Sequence, residues 1–348
     1  PDQAAVILET MGDAQLYNDY FVKMFDRWYL KEESRSTIQQ LPAIYQKFRQ
    51  LPDAVPAMPT LRGMFKISYP KNTARLDELY DDWIRIKGGL NQWGYEKFLK
   101  YHAHRGDVPT VRRLWDEYVK EYPDVLQETR GFRSIINVYS QAGDVEGARA
   151  ELDNMLPTYG VQPDIDSWNT VLKGYMRTND YDTVLNLFDE ISSHLEPDSY
   201  TYAHVMAMAA KKGDLDTTLE YFQKSQEARV PITKEMGLAL IVAYCQNSLL
   251  FEAESLCIEM AHRKITDTAL WDQLINFNGV EGKIDKVYEL LRRMREFGME
   301  WGEETYEFLL QALVRVNQIQ PAYSLLKRAD EENLFLVTPE HYAIVMAG

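Results

Sequence analysis

The sequence predicts an all-α fold, a solenoid of antiparallel helix pairs, and three observations support this prediction. A pattern of a Pro-Asp pair, an aromatic residue and an apolar helix returns every 34 to 37 residues, most clearly at 163–172 and 197–206. Mostly apolar residues lie three and four positions after each aromatic residue, and a Gly-Asp or Asn-Asp turn lies in the middle of several repeats. A period of this length indicates helical hairpins that stack on their neighbours to share one continuous core.

The first helix of each predicted pair is marked by an aromatic residue near its start. These residues are Tyr95, Phe132, Trp168, Tyr202, Trp271, Tyr306 and Tyr342, with Gly237 at the equivalent position of the remaining unit. The apolar residues that follow, such as Val171 and Leu172, continue the same helix face. This spacing predicts helices that bury one side.

The turn between the two helices of a pair also repeats. The equivalent positions hold Gly106-Asp107, Gly143-Asp144, Asn179-Asp180 and Gly213-Asp214, with Gly282-Lys283 in a later unit. Glycine and asparagine accept the left-handed backbone that ends a helix, and the aspartate can cap the next helix. The sequence therefore predicts short, capped turns.

The pattern divides the chain into units. We predict repeats at 57–91, 92–128, 129–164, 165–198, 199–233, 234–267, 268–302 and 303–338, with a further repeat starting at 339–348. Residues 1–56 match poorly and are interpreted as N-terminal helices, either degenerate repeats or a cap, with helices from Tyr20 to Tyr29 and from Thr37 to Arg49. The chain begins without Met and ends inside a predicted first helix, so we expect a fragment of a longer protein.

Charge is distributed unevenly along the chain. Residues 1–150 contain 21 Lys+Arg and 21 Asp+Glu, whereas residues 151–348 contain 17 and 32, so the net charge of −15 lies in the second part. An acidic surface repels phosphate backbones and favours basic protein partners. A hydrophobic content of 45% is too high for a disordered chain, and the sequence contains no run of 18 apolar residues that would predict a membrane span.

The run from Asp164 to Asp198 resembles a pentatricopeptide repeat. The resemblance lies in Trp168-Asn169-Thr170-Val171-Leu172-Lys173-Gly174-Tyr175, in Leu187-Phe188-Asp189-Glu190-Ile191, and in the closing turns Gly160-Val161-Gln162-Pro163-Asp164 and Gly298-Met299. It extends over about 92–348. It implies a right-handed superhelical solenoid, usually found in mitochondria or plastids and usually bound to single-stranded RNA. On this basis we expect a mitochondrial matrix protein whose targeting segment is not in this chain.

In this family, the fifth residue of a unit and its last residue read one base, and the second residue packs against that base. Only the unit 165–198 matches, through Asn169 and Asp198, a combination that the family associates with uracil. Ala203 and Leu238 hold the fifth position in later units and cannot hydrogen-bond a base edge. We therefore predict no base-by-base code across the array.

Two sets of groove residues emerge from these positions. Cations beside a possible stacking ring favour single-stranded RNA in the earlier units. The candidate RNA-binding residues are Trp93, Lys100, Arg130, Arg133, Asn169, Lys173 and Asp198. The later groove is acidic and partly apolar, which favours a basic or amphipathic protein segment. The candidate protein-binding residues are Glu235, Leu238, Asp272, Glu304 and Glu307.

The sequence shows no catalytic, cofactor-binding or metal-binding constellation. His102 and His104 are two residues apart, so a helix would turn them about 200° away from each other. Cys245 and Cys257 lack the spacing of a metal site and are expected in the core. No Gly-rich phosphate loop and no nucleophile motif is found. We expect a protein that is not an enzyme and holds neither cofactor nor metal.

Three functional hypotheses remain open from the sequence. The first is a non-catalytic factor in mitochondrial gene expression, acting in RNA processing, stability or translation. It would bind a transcript or ribosomal RNA through the earlier repeats and protein through the acidic later repeats. The second is a protein-binding scaffold without sequence-specific RNA binding, such as a respiratory-complex assembly factor or a subunit associated with the mitochondrial ribosome. The third is the RNA-binding arm of an enzyme whose catalytic domain lies outside this segment.

Overall fold

A computed structural model describes residues 2–30, 35–70, 72–265, 267–332 and 337–346. In these ranges the chain forms twenty α-helices and one short 3₁₀ helix, and none of the described residues is in a strand. The prediction of an all-α fold made of antiparallel helix pairs is confirmed. No helix of this part of the chain combines the length and the apolar character needed to cross a membrane.

The helices are numbered in chain order. Three N-terminal helices are α1 (Asp2–Met11), α2 (Ala14–Tyr29) and α3 (Arg35–Arg49). The pairs that follow are α4 (Met58–Ser68) with α5 (Thr73–Lys87), α6 (Gln92–His104) with α7 (Val108–Glu121), α8 (Arg130–Ala142) with α9 (Val145–Tyr159), α10 (Ile165–Thr178) with α11 (Tyr181–His194), α12 (Ser199–Lys211) with α13 (Leu215–Glu227), α14 (Lys234–Gln246) with α15 (Leu250–His262), α16 (Thr268–Val280) with α17 (Ile284–Glu296) and α18 (Glu303–Arg315) with α19 (Ile319–Glu331). The 3₁₀ helix, Pro123–Gln127, follows α7, and α20 (Pro339–Met346) is the last helix.

The turns inside the pairs follow the predicted chemistry. Gly143 and Asn179 adopt left-handed backbone, with φ of 81° and 60°. Asp144 and Asp180 then cap α9 and α11, each accepting the backbone N–H of the residue three positions on. Because these groups lie in one short segment, local sequence determines where each helix ends and the next begins.

Residues 1–161 form one compact unit. Its N-terminal core is aromatic and is centred on Phe21, whose ring lies 5.8 Å from that of Tyr45 and 6.1 Å from that of Phe48. A second aromatic cluster joins α4, α5 and α6, where Phe98 packs edge-on against Phe65 and Trp83. Large aromatic rings therefore fill much of the space between helices in this unit.

Residues 162–348 form the other compact unit. Its core follows the row of first helices, in which α10, α12, α14, α16, α18 and α20 each pack on the next. Trp271, Leu290 and Leu310 are each 1% exposed or less within a continuous apolar cluster. Cys245 and Cys257 are buried in the same cluster and are not paired with each other, as the sequence predicted.

The N-terminal helices differ from the sequence expectation. Helix α1 was not predicted, and α2 begins at Ala14, where the Asp13 carboxylate accepts the backbone N–H groups of Gln15 and Leu16. The start of α2 is rich in polar residues, so the sequence pattern did not predict a helix there. One of these residues, Asn18, is nevertheless buried. Its side chain bonds the Val55 carbonyl and the Ala57 N–H, which lie far along the chain. The three-proline segment at 51–59 is thereby attached to α2.

A buried leucine of the second unit tests how the array is stabilised. We expect Leu290→Ala in α17, where Leu290 is 0% exposed, to lower the free energy of unfolding by about 2 to 5 kcal/mol, because it leaves a cavity that its neighbours only partly fill. The measurement is urea unfolding followed by circular dichroism at 222 nm, a wavelength that reports helix content. Leu156→Ala is the matched control, because Leu156 is 51% exposed. Equal losses in both variants would contradict the assigned core.

Candidate functional site

Charge in the first compact unit is segregated between first and second helices. The first helices α4, α6 and α8 carry six Lys or Arg and one acid, Glu96. The cations are Arg62, Lys66, Lys97, Lys100, Arg130 and Arg133. The second helices α5, α7 and α9 carry seven Lys or Arg and ten acids. A basic row therefore follows the first helices of a chain that is acidic as a whole.

The cations of the two helix rows differ in their partners. On the second helices, Arg112 pairs with Glu151 and Arg113 with Glu117. Lys100 and Arg130 are exposed, and neither forms a salt bridge with any residue that the structure describes. Arg133 is half-buried. Lys100 and Arg130 are therefore free to meet a phosphate without breaking an ion pair.

Trp93, which the sequence suggested as a stacking platform for RNA, packs against another tryptophan. Its ring is half-buried and stacks on Trp83, with centroids 5.6 Å apart and an interplanar angle of 14°. The Arg62 guanidinium and the Lys97 ammonium lie over the Trp93 ring, 5.4 and 5.7 Å from its centroid. The Trp93 ring therefore takes part in packing between helices, and it holds Arg62 and Lys97 of the basic row in place.

Asn169 and Asp198, the pair that matches the base-reading positions, bond to each other. The Asn169 amide donates to Asp198 Oδ1 at 3.1 Å, and Thr201 Oγ1 donates to Asn169 Oδ1 at 2.9 Å. Asp198 also caps α12 by accepting the Thr201 backbone N–H at 2.8 Å. Asn169 is 9% exposed, and both ends of its amide have partners in the chain. A base would have to displace these bonds to be read, whereas Lys173 on the same helix is exposed.

Similar contacts occur between the N-terminal helix α2 and the first helix α4, and between the first helices α16 and α18. In α2, the fifth residue Asn18 accepts a hydrogen bond from Thr60, the third residue of α4, at 3.0 Å. In α16, the fifth residue Asp272 accepts one from Thr305, the third residue of α18. Each of the threonines, Thr201 included, is 0% exposed. In these three contacts a polar fifth residue is matched by a buried hydroxyl near the start of a following helix, whereas Glu96, the fifth residue of α6, is followed by Phe132 at the third position of α8.

Where the fifth residue is apolar, the matching third residue is apolar too. Ala203 of α12 is followed by Met236 at the third position of α14, which is 0% exposed. Leu238 of α14 is followed by Leu270 at the third position of α16, which is 1% exposed. In these units the fifth position therefore belongs to the contact between repeats.

Asp272 was predicted to line the groove, but the structure places it in the interior with 1% exposure. Its carboxylate accepts hydrogen bonds from Thr305 and Thr268, while its Oδ1 has no hydrogen-bond partner among the described residues. Burial raises the pKa of Asp272 from 3.8 to about 6, and the charges of Glu304 and Asp267 act in the same direction. Asp272 is therefore a buried residue of the repeat contact and does not line the groove surface.

The remaining predicted protein-binding residues lie at or near the surface. Glu235 and Glu304 are exposed, and Leu238 and Glu307 are half-buried. Glu307 accepts a hydrogen bond from Gln311 at 3.0 Å. Charge along the first helices changes sign, because α16 carries one acid and no Lys or Arg, and α18 carries three glutamates and one Arg.

An apolar groove of about 290 Å³ lies on the first helices α10, α12 and α14. Ala203, Ala207, Leu238 and Val242 line it, and Tyr200 at its edge is 60% exposed. Burial lowers the pKa of His204, which also lines the groove, so this imidazole is neutral at pH 7. The groove therefore offers apolar contact and little charge.

Sequence reasoning missed the partners that make these contacts. Thr60, Thr201 and Thr305 drew no attention because a threonine near a helix start is a common capping residue. Arg62 and Lys66 were missed because the unit at 57–91 matches the repeat pattern weakly. Counting charge separately for first and second helices would have revealed the basic row. The described residues include no group of three or more His, Cys, Asp or Glu side chains that is arranged to hold a metal ion.

Comparison with protein families identifies the repeats of the second unit. A model of the PPR repeat family matches residues 163–211, and the PPR repeat model matches residues 238–265 and 269–299. PPR denotes the pentatricopeptide repeat. The match at 163–211 begins just before α10, the match at 238–265 begins within α14, and the match at 269–299 begins at the second residue of α16.

Known proteins with similar sequences are pentatricopeptide repeat-containing proteins of Arabidopsis thaliana. A chloroplastic one is 23% identical over 216 residues, covering 61% of this chain and 28% of that protein. A mitochondrial one is 25% identical over 182 residues, covering 51% of this chain and 37% of that protein. The chain thus spans well under half the length of these relatives. The crystal structure of the pentatricopeptide repeat protein PPR10 from maize matches 97% of this chain and 52% of that chain, with a TM-score of 0.51 and 14% identity, which supports the fold.

Replacing the buried carboxyl of Asp272 tests its position. The folded protein binds this proton more tightly than the unfolded chain, whose pKa is 3.8. Asp272 therefore contributes most favourably to the free energy of folding at pH values below the unfolded pKa of 3.8. This contribution decreases as the pH rises from there through the folded pKa of about 6. Asp272→Asn keeps a neutral side chain of the same size, so we expect it to be more stable than the parent by on the order of 3 kcal/mol at about pH 7.5, and equal to it near pH 4.

The measurement for Asp272→Asn is urea unfolding at several pH values. Asp267→Asn is the control, because a hydrogen bond from Lys234 lowers the pKa of Asp267 and its carboxylate caps α16. That variant should be less stable than the parent at neutral pH. A stability difference between Asp272→Asn and the parent that does not change with pH would contradict the assignment.

Proposed function

Because this chain is a pentatricopeptide repeat protein, we propose that it is a non-catalytic RNA-binding factor in mitochondrial gene expression, acting in RNA processing, stability or translation. Its ligand is a single-stranded mitochondrial transcript or ribosomal RNA. The earlier repeats contact this RNA, and the acidic later repeats contact protein. The proposal joins the family's usual ligand to the charge pattern of this chain's first helices.

The basic row on α4, α6 and α8 is the observation that carries the proposal. In a chain of net charge −15, these three helices hold six cations against one acid. Most of the affinity of a protein for a nucleic-acid backbone comes from cations that release condensed counterions. Lys100 and Arg130, exposed and without a salt bridge, are the residues that we assign to phosphate contacts in the first compact unit.

Contacts with the backbone suit this array better than a base code. Asn18, Asn169 and Asp272 use their polar atoms for buried bonds to the next first helix. In the second unit, exposed Lys173 is the groove residue of α10 that we assign to RNA, and Asn169 and Asp198 hold the helix that presents it. Binding of this kind fixes the position of a strand and carries little sequence information.

We place the protein in the mitochondrial matrix. Support comes from A. thaliana relatives that are named mitochondrial, although a chloroplastic protein is among the matches as well. Cys245 and Cys257 are buried and unpaired, which suits a compartment that does not depend on disulfides.

A second candidate function is favoured by the apolar groove and by the acidic charge of residues 151–348, which hold 32 Asp+Glu and 17 Lys+Arg. In this alternative the chain is a protein-binding scaffold, a respiratory-complex assembly factor or a subunit associated with the mitochondrial ribosome. Two measurements on the purified native protein distinguish the RNA-binding factor from the scaffold. A raised ratio of absorbance at 260 nm to that at 280 nm supports the RNA-binding factor, and a partner that stays bound after nuclease treatment supports the scaffold.

The double variant Lys100→Gln/Arg130→Gln tests the RNA contact. We expect it to weaken binding on the order of tenfold at low salt, and to reduce the slope of log affinity against log salt by about 1.4, because two phosphate contacts are lost. The measurement is the fluorescence anisotropy of a labelled single-stranded RNA of mixed sequence, about 20 nucleotides long.

The control for this test removes two cations from second helices, exposed Lys120 and half-buried Lys224, as Lys120→Gln/Lys224→Gln. It should leave affinity within about twofold of the parent, because these residues lie outside the basic row. Equal losses in both double variants would mean that binding depends on overall charge and would reject the proposed surface. No binding by the parent would favour the scaffold.

A further inference from the structure

The apolar groove on α10, α12 and α14 brings apolar residues of neighbouring first helices to one surface, beside His204 and Glu235. Ala203 and Ala207 follow one another along α12, and Leu238 and Val242 along α14, each pair spaced by one helical turn. Tyr200 adds an aromatic ring that is 60% exposed. An exposed apolar strip of this kind favours contact with other apolar side chains, because its burial removes carbon surface from water.

The charges around this groove do not suit a phosphate backbone. Glu235 lies exposed at its rim. The neighbouring Lys234 ammonium is 2.8 Å from Asp267 and is held there by an ion pair. His204 is neutral at pH 7 because burial lowers its pKa. A phosphate placed on the groove lining would meet the Glu235 carboxylate, and Lys173, the exposed cation of α10 that acts on His204, lies outside that lining.

The residues at the base-reading positions are also unsuitable for RNA. Ala203 and Leu238 carry no hydrogen-bonding side-chain atom, so neither can recognise a base edge. They match the apolar third residues of the following first helices, Met236 and Leu270. Because these apolar pairs belong to the contact between repeats, helix packing favours apolar residues at Ala203 and Leu238 in the groove.

Size and charge together indicate the occupant. The groove volume of about 290 Å³ has room for a few aliphatic side chains. Beyond α14, the first helices become acidic, with Glu304 exposed on α18. An amphipathic helix places such side chains on one face, at i, i+3, i+4 and i+7, and its flanking residues can carry the complementary charge.

We infer that this groove binds a basic amphipathic helix of a partner protein. Aliphatic side chains of the partner fill the space between Ala203, Leu238 and Val242, with Tyr200 at the edge. A Lys or Arg beside them pairs with Glu235. This inference rests on the protein-binding part of the proposed function, for which it names the surface and the chemistry of the ligand. It is independent of the RNA contacts assigned to the first compact unit.

The probe is a fluorescein-labelled helical peptide of leucine and lysine, with leucine at i, i+3, i+4 and i+7. We expect it to bind the full chain at least tenfold more tightly than a scrambled peptide of the same composition, which has the same charge and no apolar face. Leu238→Lys should weaken binding of the helical peptide at least tenfold, since it places a charge in the groove. Phe251→Lys is the matched control, because Phe251 is 76% exposed and lies outside the groove. It should leave affinity unchanged.

Glu235→Lys provides a second test that does not depend on folding, because Glu235 is exposed. It should weaken binding of the leucine–lysine peptide about threefold to fivefold and strengthen binding of a leucine–glutamate peptide, since exposed ion pairs contribute little each. Equal binding of the helical and scrambled peptides would overturn the inference. So would a Leu238→Lys variant that folds, as judged by circular dichroism, and keeps its affinity for the peptide.

The RNA assay separates this inference from the proposed function. Lys100→Gln/Arg130→Gln should lose affinity for RNA and keep affinity for the peptide, and Leu238→Lys should do the reverse. If Leu238→Lys weakens RNA binding and leaves peptide binding intact, the groove holds nucleic acid and the inference is wrong. If no variant alters RNA binding while Leu238→Lys abolishes peptide binding, the groove assignment stands and the RNA proposal fails.

Discussion

The contact between one first helix and the next is the interaction on which the rest of the structure depends. In a stack of repeats, each pair buries its core only against its neighbours. In the second compact unit, the fifth residue of one first helix and the third residue of the next agree in polarity in contacts such as Asn169 with Thr201 and Leu238 with Leu270. An unmatched polar atom at this buried place would cost the free energy of a lost hydrogen bond. The repeat contact therefore restricts which residues the inner surface can present.

This restriction has a consequence for recognition. A fifth residue whose polar atoms bond the next repeat is no longer free to bond a base, and Asn169 is in this state. Asp272 is buried even more deeply, its Oδ1 has no hydrogen-bond partner among the described residues, and its pKa is raised to about 6. We therefore assign recognition to side chains one turn further on, such as exposed Lys173 and the groove residue Val242.

The charge of the first helices then differs from one end of the chain to the other. The first helices of the first compact unit are basic, whereas α16 and α18 of the second are acidic. Their second helices carry cations that are mostly paired with acids, such as Arg112 with Glu151. Unpaired cations act at long range on a phosphate chain, and paired ones do so much less. The two kinds of first helix are thus suited to ligands of opposite charge.

The sequence by itself determined the repeat period, the all-α fold and the capped turns. These features depend on residues close together in the chain, such as Gly143 with Asp144, and local patterns report them directly. It also indicated an acidic later groove that lacks a base code. Only the tertiary structure decided that Asp272 is buried, that Trp93 stacks on Trp83 and that Asn169 bonds Asp198. Each of these outcomes depends on a neighbouring helix whose approach, distance and side chains no helical periodicity encodes.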